Sequence, residues 1–326
     1  MNNSEVEMST TTATRISPAF EDVDAVMQVV RSTGPYWPLA NYAGNDAEMA
    51  ALGSRPAVFV PPWFRQDIGA SGRPLVDGAE VIIDNPHFLA AAHAVYGPDC
   101  IVRPSNTYVN IMGPTPFPFM PHLDVPAFRG FTRADHPIWL LKVMQNSGLF
   151  EHWRIRIATA VSWFYEGAGG DFHYWPEGPD GPRMTESPPM RNVSIVADNE
   201  ATFHGVAPVG PADTTMPRGI DSHSRLVRGT DGWDVLDASG GVITSFADDE
   251  VRITVSWKAD VFSDAEEARR TDAGEDALDL DTVIGIFQED LHQRGSGIDR
   301  PADPVRDENW VALIAATYPE HPPKMT

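Results

Sequence analysis

The chain predicts a mainly β fold, a sandwich or barrel of antiparallel strands buttressed by helices. Three observations carry this. Segments rich in β-branched and aromatic residues crowd its middle: IVRPSNTYVNIM, ATAVSWFY, DFHYW, NVSIVAD, ATFHGVAPV, GGVITSF and EVRITVSWKADVF. Helical periodicity lies mainly before and after them. The 29 prolines and 26 glycines suit a loop-rich β protein better than a helical bundle.

In chain order, residues 1–16 are polar and Thr-rich and predict a disordered tail. Residues 17–326 read as one domain. Within it, residues 17–100 form an N-terminal helical support, 101–262 the β core, and 263–326 C-terminal helices. Ser17-Pro18 offers a cap and a first-turn proline for a helix carrying Phe20, Val23, Val26, Met27 and Val30 at helical spacing. A second helix is expected from Asn85 to Tyr96, ended by Gly97. A third runs from His136 to Phe150, with Ile138, Leu141 and Leu149 on one side. WPEGPDGPRMTESPPMR is a long Pro/Gly loop and DNE a tight turn. After Ser263 comes an acidic linker, then helices over LDLDTVIGIFQEDLHQ and DENWVALIAATY.

Composition excludes several classes of function. A net charge of −22 argues against a nucleic-acid backbone or an anionic membrane as partner. One cysteine, Cys100, rules out an internal disulfide framework and a Cys-based zinc cluster. The opening MNNSEVEMSTTTATR has no apolar core to act as a secretory signal or anchor. No apolar run nears the roughly 18 residues of a membrane span. The chain reads as cytosolic. GxSxG, HExxH, Walker A and Rossmann signatures are absent.

The chemistry concentrates in three separated segments. His122-Leu123-Asp124 is weak alone, since about one His-x-acid pair is expected by chance in a chain of this composition. In an extended segment, however, residues i and i+2 point the same way, so His122 and Asp124 can converge on one ion. His204 lies in the apolar stretch ATFHGVAPV, where Thr202, His204 and Val206 share a face. Gly205 beside it leaves room for close approach by a ligand or backbone. Two histidines and a carboxylate can fill one face of an octahedral ferrous ion and leave the other face open. Arg252 opens RITVSWK, where Arg252, Thr254, Ser256 and Lys258 share one face and Ile253, Val255 and Trp257 the other. An arginine with a hydroxyl two residues on can hold a carboxylate by a fork plus one more hydrogen bond.

Taken together, HLD, FHGVAPV and RITVSW resemble the Fe(II)/2-oxoglutarate-dependent oxygenase superfamily, over about residues 101–262. The nearest likeness is to its prolyl- and phytanoyl-hydroxylase branches. The resemblance implies a double-stranded β-helix (jelly-roll, cupin-like) core with His122, Asp124 and His204 as iron ligands. It also implies that Arg252, assisted by Thr254, binds the far carboxylate of 2-oxoglutarate. The cofactors would be Fe(II), 2-oxoglutarate and O2, and the substrate a small organic molecule hydroxylated, desaturated or cyclised as 2-oxoglutarate yields succinate and CO2. One departure is the 48-residue separation of His204 and Arg252, which implies an insertion at about 211–247 and leaves Arg225 or Arg228 as rival carboxylate binders. A cupin-type dioxygenase or isomerase without an oxo acid, or a barrel that only binds ligand, are the alternatives.

Secondary candidates surround this set. Asn106, Tyr108 and Asn110 alternate on the strand before HLD and could reach the co-substrate. Asp171, His173 and Trp175 share a face, with His173 and Trp175 candidate substrate contacts. Arg129 could pair with an anionic substrate group. Cys100 has no adjacent base to activate it.

Overall fold

The computed structural model describes residues 12–42, 60–296 and 299–324. It contains β1 (Ala13–Ile16), β2 (Trp37–Pro38), β3 (Trp63–Ala70), β4 (Arg73–Pro74), β5 (Ile101–Met112), β6 (Phe119–His122), β7 (Ala127–Phe128) and β8 (Arg154–Tyr165). It continues with β9 (Phe172–Trp175), β10 (Met184–Glu186), β11 (Met190–Asp198), β12 (Phe203–Val206), β13 (Arg225–Arg228), β14 (Gly232–Leu236), β15 (Val242–Ala247) and β16 (Arg252–Phe262). Helices α1 (Val23–Ser32), α2 (Glu80–Ile83) and α3 (Pro86–Tyr96) precede β5, and α4 (Ile138–Ser147) precedes β8. Helices α5 (Ala265–Ala273), α6 (Leu280–Gln293) and α7 (Glu308–Thr317) close the chain.

The fold class is the expected one, mainly β with helical flanks. One antiparallel sheet is ordered β1-β11-β8-β16-β5-β3-β2, and a four-stranded sheet is ordered β10-β9-β12-β6. From β5 to β16 the chain winds between them: β5, β8, β11 and β16 join the large sheet, and β6, β9, β10 and β12 the small one. Such winding is that of a jelly roll.

Alternation along the strands decides what each face buries. One face of the large sheet packs Val109, Ile111, Ile253, Val255 and Trp257 against α1 to α3. The other face, with Met112, Trp163 and Tyr165, meets Phe172, Tyr174 and Val206 of the small sheet. Helices α4, α6 and α7 form a separate apolar cluster around Phe128, Phe150, Phe287 and Trp310. Among the described residues no helix is long and apolar enough to cross a membrane.

The structure corrects several sequence expectations. Part of the expected tail is ordered, because Ala13–Ile16 pairs antiparallel with β11 as an edge strand; residues 1–11 lie outside the described residues. Helix α1 starts at Val23, capped by Asp22, whose side chain accepts from the Ala25 N–H. Ser17-Pro18 is no cap: the adjoining Ala19 and Phe20 instead bond through their N–H groups to Asn192. The helical support also contains β2, β3 and β4. In β3, Phe64 and Ile68 enter the core while Trp63 and Arg65 face a cavity, so its polar residues mask the pattern. The acidic linker holds α5, capped by Asp264, with Ala268 its one buried residue; a helix polar almost all round carries no hydrophobic period.

Residues 225–247 fold as a third sheet, ordered β13-β14-β15. Leu226, Trp233, Val235 and Phe246 pack it onto the helical face of the large sheet. This sheet accounts for the long interval between His204 and Arg252.

Candidate functional site

Strands β6 and β12 pair antiparallel with His122 directly opposite His204. The imidazole centroids stand 4.4 Å apart. Gly205 makes the pairing possible, since a Cβ there would sit 2.7 Å from the Phe119 carbonyl oxygen. The close approach that its lack of a side chain permits is therefore to backbone. Asp124, two residues past His122, is held by its own N–H, which donates to the Asn199 carbonyl at 2.9 Å.

His122, Asp124 and His204 form a group whose ligand atoms lie within 4.8 Å of one another and could hold a metal ion. Asp124 Oδ1 lies 3.6 Å from His204 Nε2 and 3.9 Å from His122 Nε2. Each ring nitrogen Nδ1 meets a backbone carbonyl two residues upstream, Met120 at 2.9 Å for His122 and Thr202 at 3.0 Å for His204. A carbonyl only accepts, so Nδ1 donates to it and each Nε2 is the nitrogen turned toward Asp124. Burial, reinforced by the neighbouring His122, pushes the His204 pKa down to about 4, so its imidazole is neutral at physiological pH. Burial works against the Asp124 carboxylate, but Lys258 and the two histidines outweigh it and hold its pKa below the usual range. Lys258 Nζ donates to Asp124 Oδ2 at 2.7 Å and to Glu200 Oε1 at 3.3 Å. Burial opposes the charge on Lys258 too, and the two carboxylates more than restore it.

His122, Asp124 and His204 border a cavity of about 470 Å³. Arg252, Thr254 and Ser256 line it from β16, Tyr108 and Asn110 from β5, and Trp63 and Arg65 from β3. The alternation expected of RITVSWK is therefore realised. Arg252 is 2% exposed. Its Nε donates to the Gly170 carbonyl at 2.8 Å and its Nη1 approaches Met112 Sδ at 3.7 Å, while Nη2 is buried with no partner. Gly170 has φ +73°, and a Cβ there would come within 3.0 Å of the Arg252 Cδ, so this turn needs glycine. No carboxylate among the described residues lies within ion-pair distance of Arg252. Desolvation brings its pKa down to about 9, opposed by the nearby Tyr165 and Asp171. Buried charges are normally paired. An orphaned donor on a cavity wall is what an incoming anion would satisfy. Asn110 Oδ1 and Trp63 Nε1 are likewise buried, unpartnered and on cavity-lining residues.

Other candidates fall elsewhere. Asn106 faces Lys258 in register but does not line the cavity. His173 and Trp175 alternate with the inward-facing Phe172 and Tyr174, so they project away from the cavity; His173 Nδ1 meets Thr185 Oγ1 at 3.0 Å. Arg129 does not line the cavity: its guanidinium forks onto Asp276 with both bonds at 3.0 Å, tying the turn after β7 to the segment before α6. Arg228 pairs with Asp248 in the third sheet, and neither it nor Arg225 lines the cavity. Sequence reasoning missed Glu200, Arg65 and Trp63. Lys258 stood on the right face of RITVSWK but had no partner until the fold brought Asp124 to it. Glu200 carried no signal at all, being one acid in a tight turn.

No protein-family model and no curated protein matches the chain. Among solved structures it is similar to a 2OG-Fe(II) oxygenase family oxidoreductase from Burkholderia pseudomallei (13% identity, 66% of this chain and 76% of that one, TM-score 0.34). It is also similar to a Pseudomonas putida prolyl-4-hydroxylase (13% identity, 77% and 93%, TM-score 0.33). A third is HygX from Streptomyces hygroscopicus, solved with nickel, 2-oxoglutarate and hygromycin B bound (10% identity, 77% and 83%, TM-score 0.37). Likenesses this distant leave the functional reading to the site's own residues.

Proposed function

We propose that the chain is a non-haem Fe(II)/2-oxoglutarate-dependent dioxygenase that oxidises a C–H bond of a small organic molecule. The observation that carries this is one cavity holding both a His-Asp-His metal group and a buried, carboxylate-free arginine. Two imidazoles and one carboxylate suit a ferrous ion with open positions. The orphaned Nη2 of Arg252 suits a carboxylate that comes with a ligand. A metal site without an oxo acid would leave that guanidinium unanswered.

When bound, iron and 2-oxoglutarate would supply the oxidising chemistry, with succinate and CO2 as co-products. The chain's own residues do the rest. His122 and His204 present Nε2 because Met120 and Thr202 hold the opposite nitrogen. Arg252 and Thr254 would fix the far carboxylate of the oxo acid, Arg252 by an ion-paired bond in a water-poor setting where such bonds are strong. Trp63, Phe119, Val125 and Ile138 give the cavity an apolar wall against which a substrate C–H can be held while water is excluded.

The test is to follow succinate. Purified protein given Fe(II), ascorbate, O2 and 2-oxoglutarate should form succinate, in the first instance slowly and without substrate. Omission of iron should stop it. Protein that binds iron but forms no succinate under a broad substrate panel would move the reading to a dioxygenase or isomerase without an oxo acid.

A further inference from the structure

The two oxygens of Asp124 live in different surroundings. Oδ1 faces both imidazole Nε2 atoms, whereas Oδ2 takes a charge-assisted hydrogen bond from Lys258 at 2.7 Å. Lys258 reaches across from the large sheet to a residue that follows a small-sheet strand. Alternation along β16 sets its aim, and just beyond it lies a register shift at Lys258/Ala259, where Ser105 of β5 is passed unpaired and its hydroxyl donates to the Lys258 carbonyl at 3.3 Å. Glu200, 1% exposed, takes a second ammonium hydrogen at 3.3 Å. Glu200 is itself anchored: its N–H donates to Asp198 Oδ1 at 3.2 Å, and its carbonyl accepts from Gln145. The ammonium thus cannot drift without leaving the buried Glu200 carboxyl and the half-buried Asp124 carboxylate unpartnered.

Resting on the metal site proposed above, we infer that Lys258 is a positioning residue that restricts Asp124 to one-oxygen coordination, with Glu200 holding Lys258 in place. A carboxylate can bind a divalent ion through one oxygen or two. Three one-atom protein ligands leave about three positions of an octahedron free; a two-oxygen aspartate would consume one of them. A 2-oxo acid that chelates through two atoms would then fill both positions that remain and leave none for O2. Lys258 therefore keeps the open face open. It does so as a partner of the ligand and touches neither metal nor substrate.

Co(II) is the probe, because its d–d absorption reports coordination number without turnover. We expect K258R, which retains a donor to Oδ2, to match the wild-type Co(II) spectrum. K258M should bind Co(II) but show a changed d–d spectrum before any oxo acid is added. Should K258M fail to fold, K258M/E200M removes both buried charges and carries the same measurement, with the same result expected. A wild-type spectrum in K258M or the double variant would overturn the inference, as would K258R behaving like K258M. Wild-type protein that takes up no Co(II) would overturn the metal site and this inference with it. If it takes up Co(II) but ignores 2-oxoglutarate, only the oxo-acid reading falls, and the variants' spectra before addition still decide the role of Lys258.

Discussion

His122 and His204 face each other across the β6–β12 pair, rings 4.4 Å apart, although 82 residues of chain separate them. Neither histidine carries meaning alone; their register does. With Asp124 they make a group that could hold a metal ion, its imidazoles oriented by backbone rather than by other side chains. His204→Ala and Asp124→Ala proteins should therefore keep their fold and lose most of their Fe(II) or Co(II) affinity, measured by metal titration beside circular dichroism. A His204→Ala protein with unchanged metal affinity would remove His204 from the site.

Arg252→Ala should raise the 2-oxoglutarate concentration needed for half-saturation steeply. Losing an ion pair to a buried carboxylate costs about 2–5 kcal/mol, which is roughly 30-fold or more in affinity. Arg225→Ala and Arg228→Ala should shift it little, because neither residue lines the cavity and Arg228 is committed to Asp248. Calorimetric titration of the three variants decides between them. A large effect at Arg228 and none at Arg252 would relocate the carboxylate subsite.

Metal-free protein should lose stability as pH falls from about 6.5 to about 4. His204 is held neutral in the fold, with its pKa lowered from 6.5 to about 4, whereas the unfolded chain takes up its proton throughout that window. The unfolded state binds more protons there, so unfolding free energy rises with pH, by on the order of 3 kcal/mol for this group. Denaturant melts at a series of pH values should show the slope in wild type and a reduced slope in His204→Gln. Equal slopes in both would mean that His204 is not buried neutral.

Gly205→Ala should destabilise the protein and weaken metal binding together. The added Cβ would press on the Phe119 carbonyl, and relief requires β6 and β12 to separate, which moves His122 away from His204. Overpacking of this kind costs about 1–3 kcal/mol. Thermal melts with and without Co(II) test it: a lowered melting temperature with a wild-type stabilisation by Co(II) would show that the two histidines do not depend on this contact.

Much of the architecture was legible because its signals are local. Asn85 and Gly97 bracket α3, and RITVSWK alternates cleanly enough to assign both of its faces. What stayed hidden depends on partners distant in sequence. Trp63 and Arg65 carry no motif in the sequence, and only the pairing of β3 with β5 turns them toward the cavity. Arg129 near HLD looked functional by proximity, yet its fork to Asp276 is a strut between loops. His173 and Trp175 lie on the face of β9 opposite Phe172 and Tyr174, and period-two alternation alone cannot say which face turns to the cavity while register is unknown. Lys258 and Glu200 meet Asp124 only through three separate strand connections.

The central claim is that one cavity holds a ferrous ion on His122, Asp124 and His204 and a 2-oxo acid on Arg252. Anaerobic addition of 2-oxoglutarate to Fe(II)-loaded protein tests it most directly, because chelation of ferrous iron by the oxo acid produces a visible charge-transfer absorption. The account predicts that this band develops in wild type with saturation, is absent in His204→Ala, and requires far more 2-oxoglutarate in Arg252→Ala. Iron-loaded wild-type protein that develops no band, or an Arg252→Ala protein that titrates as wild type does, would contradict it.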